Sequence, residues 1–254
     1  MARLAPFLFV FLWSTGFLGA KFGLPHAAPL SFLFVRYLLV ITLMASLALA
    51  LRASWPRDAR QWLHIGASGL MVHGLYLSGV FIAIGMGLTA GVASLIVGMQ
   101  PLLTATVAGR LLGETVLPRQ WTGLVLGFVG VALVVSPKLG SDFPATALWP
   151  AVMALLGITA GTLYQRIFCP AVDLRAASVI QFGASFLVLL PLAVAVEGFP
   201  VSWAWQLGAS ILFLVVMASI LAVNALHTLM RRGQATRVTS LLYLTPIIAV
   251  VLEW

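Results

Sequence analysis

The chain has 254 residues, of which 62% are hydrophobic and only 8% charged, and its mean hydropathy is +1.11. A water-soluble domain carries about 25% charged residues, so a set this sparse cannot solvate a globular surface. The net charge of +8 is scattered between apolar runs instead of forming a stripe, which argues against a nucleic-acid partner.

A membrane-crossing helix needs about 20 apolar residues. Nine such spans are predicted, at 4–24, 29–51, 62–84, 89–111, 120–137, 146–168, 175–197, 203–230 and 236–254. The first is free of charge from Leu4 to Ala20, longer than the core of a secretory signal, and no small-residue cleavage site follows it. It is therefore read as a helix, with Trp13 and Ser14 at mid-depth. The second span holds Arg36, the one unambiguous charge well inside an apolar run. His73 and Tyr76 lie three apart on the third span and share a helix face. Pro101, preceded by Gln100, interrupts the fourth, and Pro246, preceded by Tyr243 and Thr245, interrupts the ninth. Asn224 is a buried-amide candidate on the eighth. Cys169 is the single cysteine, so no disulfide forms within the chain, and it reads as a small apolar residue near a helix end.

Lys and Arg set the orientation. With the N-terminus in the cytoplasm, the inner segments collect Arg3, Arg52, Arg57, Arg60, Arg110 and Arg119 from the first half. Arg166, Arg175, Arg231, Arg232 and Arg237 join them from the second. Only Lys21 and Lys138 fall outside. Trp55, Trp62 and Trp121 then sit at the inner interface and Trp149, Trp203 and Trp205 at the outer one, as an aromatic belt requires.

A shift of 145 residues aligns the two halves without a gap. Gly16 falls on Gly161, Lys21 on Arg166, Pro25 on Pro170, Arg36 on Gln181, Gln61 on Gln206 and Pro101 on Pro246. The first half holds five spans, an odd number, so the second enters the membrane inverted. Inverted repeats are typical of secondary transporters, whose solute site lies near the bilayer midplane between the repeats. The expected domains are residues 1–142 and 143–254. The second repeat is expected to be incomplete at its C-terminal end, lacking a tenth helix.

Several stretches resemble the drug/metabolite transporter superfamily, and within it the EamA-type exporters. They are Phe11-Leu-Trp-Ser-Thr-Gly-Phe-Leu-Gly-Ala-Lys21, Phe34-Val-Arg36-Tyr37, and Ala93 through Pro101 on to Leu111-Leu-Gly-Glu114. The second copy, Thr239-Ser-Leu-Leu-Tyr243-Leu-Thr-Pro246, repeats the proline segment. The resemblance implies an all-helical, polytopic protein of two inverted five-helix repeats. It further implies export of amino acids, metabolites or drugs across the inner membrane.

The candidate cavity comprises Trp13, Ser14, Arg36, His73, Tyr76, Gln100, Asn224, Tyr243 and Thr245. Pro101 and Pro246 are its candidate hinges, because each proline removes the helical partner of the carbonyl four residues back, at Val97 and Leu242. Hydrogen bonding between helices explains each polar group as readily as solute contact does. Arg36 is suited equally to a solute carboxylate or to helix-end carbonyls. Carboxylates are confined to loops and helix ends, save Glu253 in the last span, so no midplane proton carrier stands out. The expected partners are a small-molecule substrate and the lipid bilayer, in a cell inner membrane, with no metal or organic cofactor.

A rival reading comes from Gly66-Ala67-Ser68-Gly69, the G-x-S-G of rhomboid-type intramembrane proteases. Ser68 then needs a base. His73 points about 140° away around the same helix, which leaves His227. A non-transporting membrane scaffold is the other alternative. The ladders Gly19-xxx-Gly23, Gly123-xxx-Gly127 and Gly157-xxx-Gly161 are read as close helix contacts.

Overall fold

A computed structural model describes residues 5–113, 115–136, 144–170, 172–222, and the single positions 225, 229, 243–245 and 248. The described residues fold into nine helices. They are α1 (Ala5–Gly23), α2 (Pro29–Ala50), α3 (Ala59–Gly85), α4 (Ala90–Val97), α5 (Gln100–Leu112), α6 (Pro118–Val135), α7 (Leu148–Phe168), α8 (Leu174–Glu197) and α9 (Trp205–Ala222). Six stretches are long and apolar enough to cross a membrane: α2, α3, 90–107, 145–168, α8 and α9. The protein is a polytopic all-α membrane protein, and the first eight predicted spans each coincide with helix. The ninth lies almost wholly outside the described residues, as do Asn224, His227 and Pro246.

Local chemistry accounts for most helix starts. Asp58 accepts from the Arg60 amide at 3.0 Å, Thr89 from Val92 at 3.3 Å, and Asp173 from Arg175 at 2.9 Å. Helix α2 begins after Ala28, which has no capping side chain. Pro29 removes one orphan amide, and Glu197 from the far end of α8 accepts from the Leu30 and Ser31 amides at 2.8 and 2.9 Å. Glu197 also accepts from the Ser31 hydroxyl at 2.7 Å, and an isolated bridge pairs Ala27 with Val201. The two helices are tied at their other end as well, where Asp173 accepts from the Ser54 amide at 3.3 Å. Helix α3 ends in a Schellman turn: the Leu88 amide reaches the Ala83 carbonyl at 3.0 Å, and Gly87 sits at φ 97°, a conformation glycine adopts without strain.

Helix α8 ends in a π-helical turn at Ala193–Glu197, and α3 and α9 each widen within the helix, at Leu70–Leu77 and Leu214–Ala222. These last two turns start 144 residues apart and end 145 apart. The packing follows the same spacing. Helix α1 lies on α9, and α7 lies on α3, the pairs that a 145-residue shift exchanges; α2 lies on α8, the pair that maps onto itself.

Glycine makes these contacts possible. A Cβ on Gly19 would run into Leu214, and one on Gly157 would come within 2.9 Å of the Met71 carbonyl and the Tyr76 amide. Two of the predicted ladders thus carry α1 onto α9 and α7 onto the wide turns of α3. The third divides: Gly123 faces open space, and Gly127 faces Tyr243.

Candidate functional site

Between the two halves of the bundle lies a cavity of about 40 Å³, lined from α1, α2, α3, α8 and α9. That is room for about three or four waters, since one water needs about 10–15 Å³ by this measure. Its polar lining is Arg36, His73, Tyr76 and Trp13. Its apolar walls include Phe17, Phe81, Phe182, Val72 and Val80, with Gly16 and Ala218 where α1 meets α9.

Arg36 enters from α2 and is 3% exposed. Its Nε and Nη2 donate to the Ser219 hydroxyl at 3.1 and 2.8 Å, and its guanidinium carbon lies 5.9 Å from the Phe81 ring centroid. Among the described residues, no carboxylate stands within ion-pair range of it. The wide turns of α3 bring Val72, His73, Tyr76 and Leu77 to the same wall. His73 stacks on Phe182 at 3.9 Å, and Tyr76 lies parallel to Trp13 at 6.1 Å. The Tyr37 hydroxyl donates to the His73 carbonyl at 2.6 Å, fixing α2 to these turns. Such wide turns are frequent at functional sites, because they re-aim side chains and backbone groups.

Four of the predicted cavity residues therefore meet at one place: Trp13, Arg36, His73 and Tyr76. The others that are described lie elsewhere. Ser14 donates to the Val10 carbonyl of its own helix at 2.7 Å. Gln100 is wholly buried and donates to the Thr162 hydroxyl of α7 at 3.1 Å. Tyr243 packs on Gly127 of α6, and Thr245 is buried outside this lining. The Gln100 Oε1 and the Thr245 hydroxyl, equivalent under the 145-residue shift, are both buried without a hydrogen-bond partner among the described residues. Pro101 falls in the first turn of α5, just after the helix is interrupted at Gly98 and Met99. Proline's fixed φ and missing donor suit that position.

Ser219 and the phenylalanines were not legible as site residues. Ser219 is a lone hydroxyl in an apolar run, and only the need of Arg36 for a partner points to it. A phenylalanine in an apolar span carries no such signal. Ser68, the candidate nucleophile, donates to the Ile65 carbonyl at 2.7 Å and accepts from Gln181 at 2.9 Å. Gly69 lies flat against the Gln181 backbone, so the G-x-S-G run forms the seam between α3 and α8.

Residues 2–136 match the EamA-like transporter family. The uncharacterized transporter YvbV of Bacillus subtilis is 28% identical over 98% of this chain and 81% of its own length. The uncharacterized inner membrane transporter YedA of Escherichia coli K12 is 25% identical over 98% and 80%. A probable amino-acid metabolite efflux pump of Salmonella typhimurium is 24% identical over 95% and 82%. One solved crystal structure superposes with a TM-score of 0.76 at 22% identity, covering 98% of this chain and 85% of the other.

Proposed function

The chain belongs to the EamA-like transporter family, and we propose that it carries a small organic solute outward across the cell membrane by alternating access. Two inverted repeats form the carrier, the first of five helices, with the N-terminus in the cytoplasm. The observation that carries this reading is the cavity itself. It lies between helices of both halves, around a buried cation, and repeat-built transporters hold their solute at such an interface between repeats. The exchange of helix partners under the 145-residue shift, and the wide turns matched at the same shift, support a pseudo-twofold arrangement.

A volume of about 40 Å³ is far below the roughly 300–1,000 Å³ of a pocket enclosing a drug-sized molecule. Loading therefore requires the halves to part, as alternating access supposes. The ties at both ends of α2 and α8 make that pair the axis, and the contacts of α1 with α9 and of α3 with α7 the moving seams. The name of the Salmonella relative extends the solute class to amino-acid metabolites. Relatives named as transporters, and a Ser68 engaged in helix packing, favour a carrier over a protease.

Counterflow tests it. Proteoliposomes loaded with a panel of metabolites should take up trace amounts of at least one labelled solute faster than empty liposomes do. A panel spanning amino acids, organic acids and drug-like cations with no protein-dependent counterflow counts against the carrier.

A further inference from the structure

We infer that the solute is a monoanion, with one carboxylate bound to Arg36, a flat apolar body against the aromatic walls, and no ammonium group. This rests on the carrier reading of the same cavity. The first support is charge. A buried guanidinium needs compensation, and a hydroxyl with the face of one ring supplies only part of it. Arg36 has Ser219 on one side, Phe81 nearby and the cavity in front. No carboxylate stands in ion-pair range of it among the described residues, so on this reading a solute carboxylate supplies the negative charge.

The count of charges narrows the class. One guanidinium balances one negative charge, so a phosphate monoester would bring a surplus into the bilayer. Among the described residues the lining holds no acidic group to receive an ammonium, and Arg36 would repel one. A carboxylic acid fits where a zwitterionic amino acid does not. The walls set the rest. Trp13, Tyr76, Phe81 and Phe182 offer ring faces, which hold a planar apolar body with little hydrogen-bond demand.

The carboxylate reaches the guanidinium as Ser219 keeps it aimed, since Arg and carboxylate match in planar, paired hydrogen bonds. A neutral amide of the same shape keeps the ring contacts and loses the charge-assisted bonds.

The test uses the full chain in lipid nanodiscs with labelled 3-phenylpropionate as the probe. Competition by 3-phenylpropionamide, 3-phenylpropylamine and phenylalanine should each be weaker than unlabelled probe by about tenfold or more, the scale of one charge-assisted bond. Arg36→Gln should lose binding by a similar factor, Arg36→Lys should retain part of it, and Ser219→Ala should weaken it less than Arg36→Gln. If Arg36→Gln fails to fold, the ranking of competitors on the native protein decides. Equal competition by the amide, the amine or phenylalanine overturns the inference, as does undiminished binding in a folded Arg36→Gln protein or no binding of the probe. Counterflow of neutral or cationic solutes without probe binding would leave the carrier standing and remove the anion class. Probe binding without any counterflow would do the reverse.

Discussion

Asp173 shows what one side chain does at a helix start. It caps α8, accepts from the Arg175 guanidinium at 2.8 and 3.1 Å, and reaches across to the Ser54 amide of the turn after α2. The Arg175 side chain, followed by the Arg175 and Ser54 amides, holds its carboxyl down at about 2. A depressed carboxyl pKa stabilises the fold while the group is charged. The contribution is full above the ordinary value near 4 and is lost as pH falls toward about 2. Thermal unfolding in detergent should therefore show a fall in midpoint between about pH 4 and pH 2 that an Asp173→Ala protein largely lacks. At neutral pH that variant should be less stable by about 1 kcal/mol, the usual worth of a cap. An identical pH profile in both proteins would show that the cap contributes nothing. Legibility at this scale followed chemistry. Arg36 stood out because charge in an apolar run is costly, and His73 and Tyr76 because they share a face. Phe182, which stacks on His73, had no mark to distinguish it from the other phenylalanines.

Helices pack here through glycine, and the sequence spacing announced two of the three close contacts it predicted, those of Gly19-xxx-Gly23 and Gly157-xxx-Gly161. A Cβ on Gly157 meets backbone atoms of α3, Met71 and Tyr76, which cannot rotate aside. Gly157→Ala should push α7 away from the wide turns, lower the unfolding temperature and slow transport, since Tyr76 lines the cavity. Gly123 has nothing within 4 Å, so Gly123→Ala should leave stability level or raise it by up to about 1 kcal/mol through helix propensity. Equal effects of the two would deny that close approach sets this seam. The spans were legible because length and hydropathy are one-dimensional properties. The π-helical turns were not, because no residue pattern in Leu70–Leu77 separates a wide turn from an ordinary one.

The broken fourth span is a second test at the same scale. Pro101 cannot donate to the Val97 carbonyl, and the helix is interrupted at Gly98 and Met99. Alanine there restores the donor and allows one straight helix through residues 90–112. The expected result for Pro101→Ala is a folded, membrane-inserted protein of unchanged or higher thermal stability with a much reduced counterflow rate. Leu103→Ala serves as the control for lost packing alone. Transport at the parental rate in Pro101→Ala would reduce the break to a packing feature.

The whole molecule turns on the 145-residue offset. Helix α2 and α8 begin 145 residues apart, α3 and α9 146, and the packing pairs trade places under the same shift. A twofold axis exchanges such pairs, and where that axis lies in the membrane plane, as proposed above, the halves enter from opposite sides. The distribution of Lys and Arg points the same way: eleven lie on the inner side in the N-in arrangement and two on the outer. Reporter fusions make the prediction concrete. Fusions after Arg60, Arg119 and Arg232 should be active as cytoplasmic reporters, and fusions after Gly87, Ser141 and Gly198 as external ones. Ser141 bears the most weight, because it lies between the proposed halves, where five crossings from a cytoplasmic N-terminus put the chain outside. A cytoplasmic signal there gives the first half an even number of crossings and orients both halves alike. The equivalence of Arg36 with Gln181, and of the two wide turns, would then be a likeness of sequence with no axis to relate them, and the cavity would lose its place between inverted repeats.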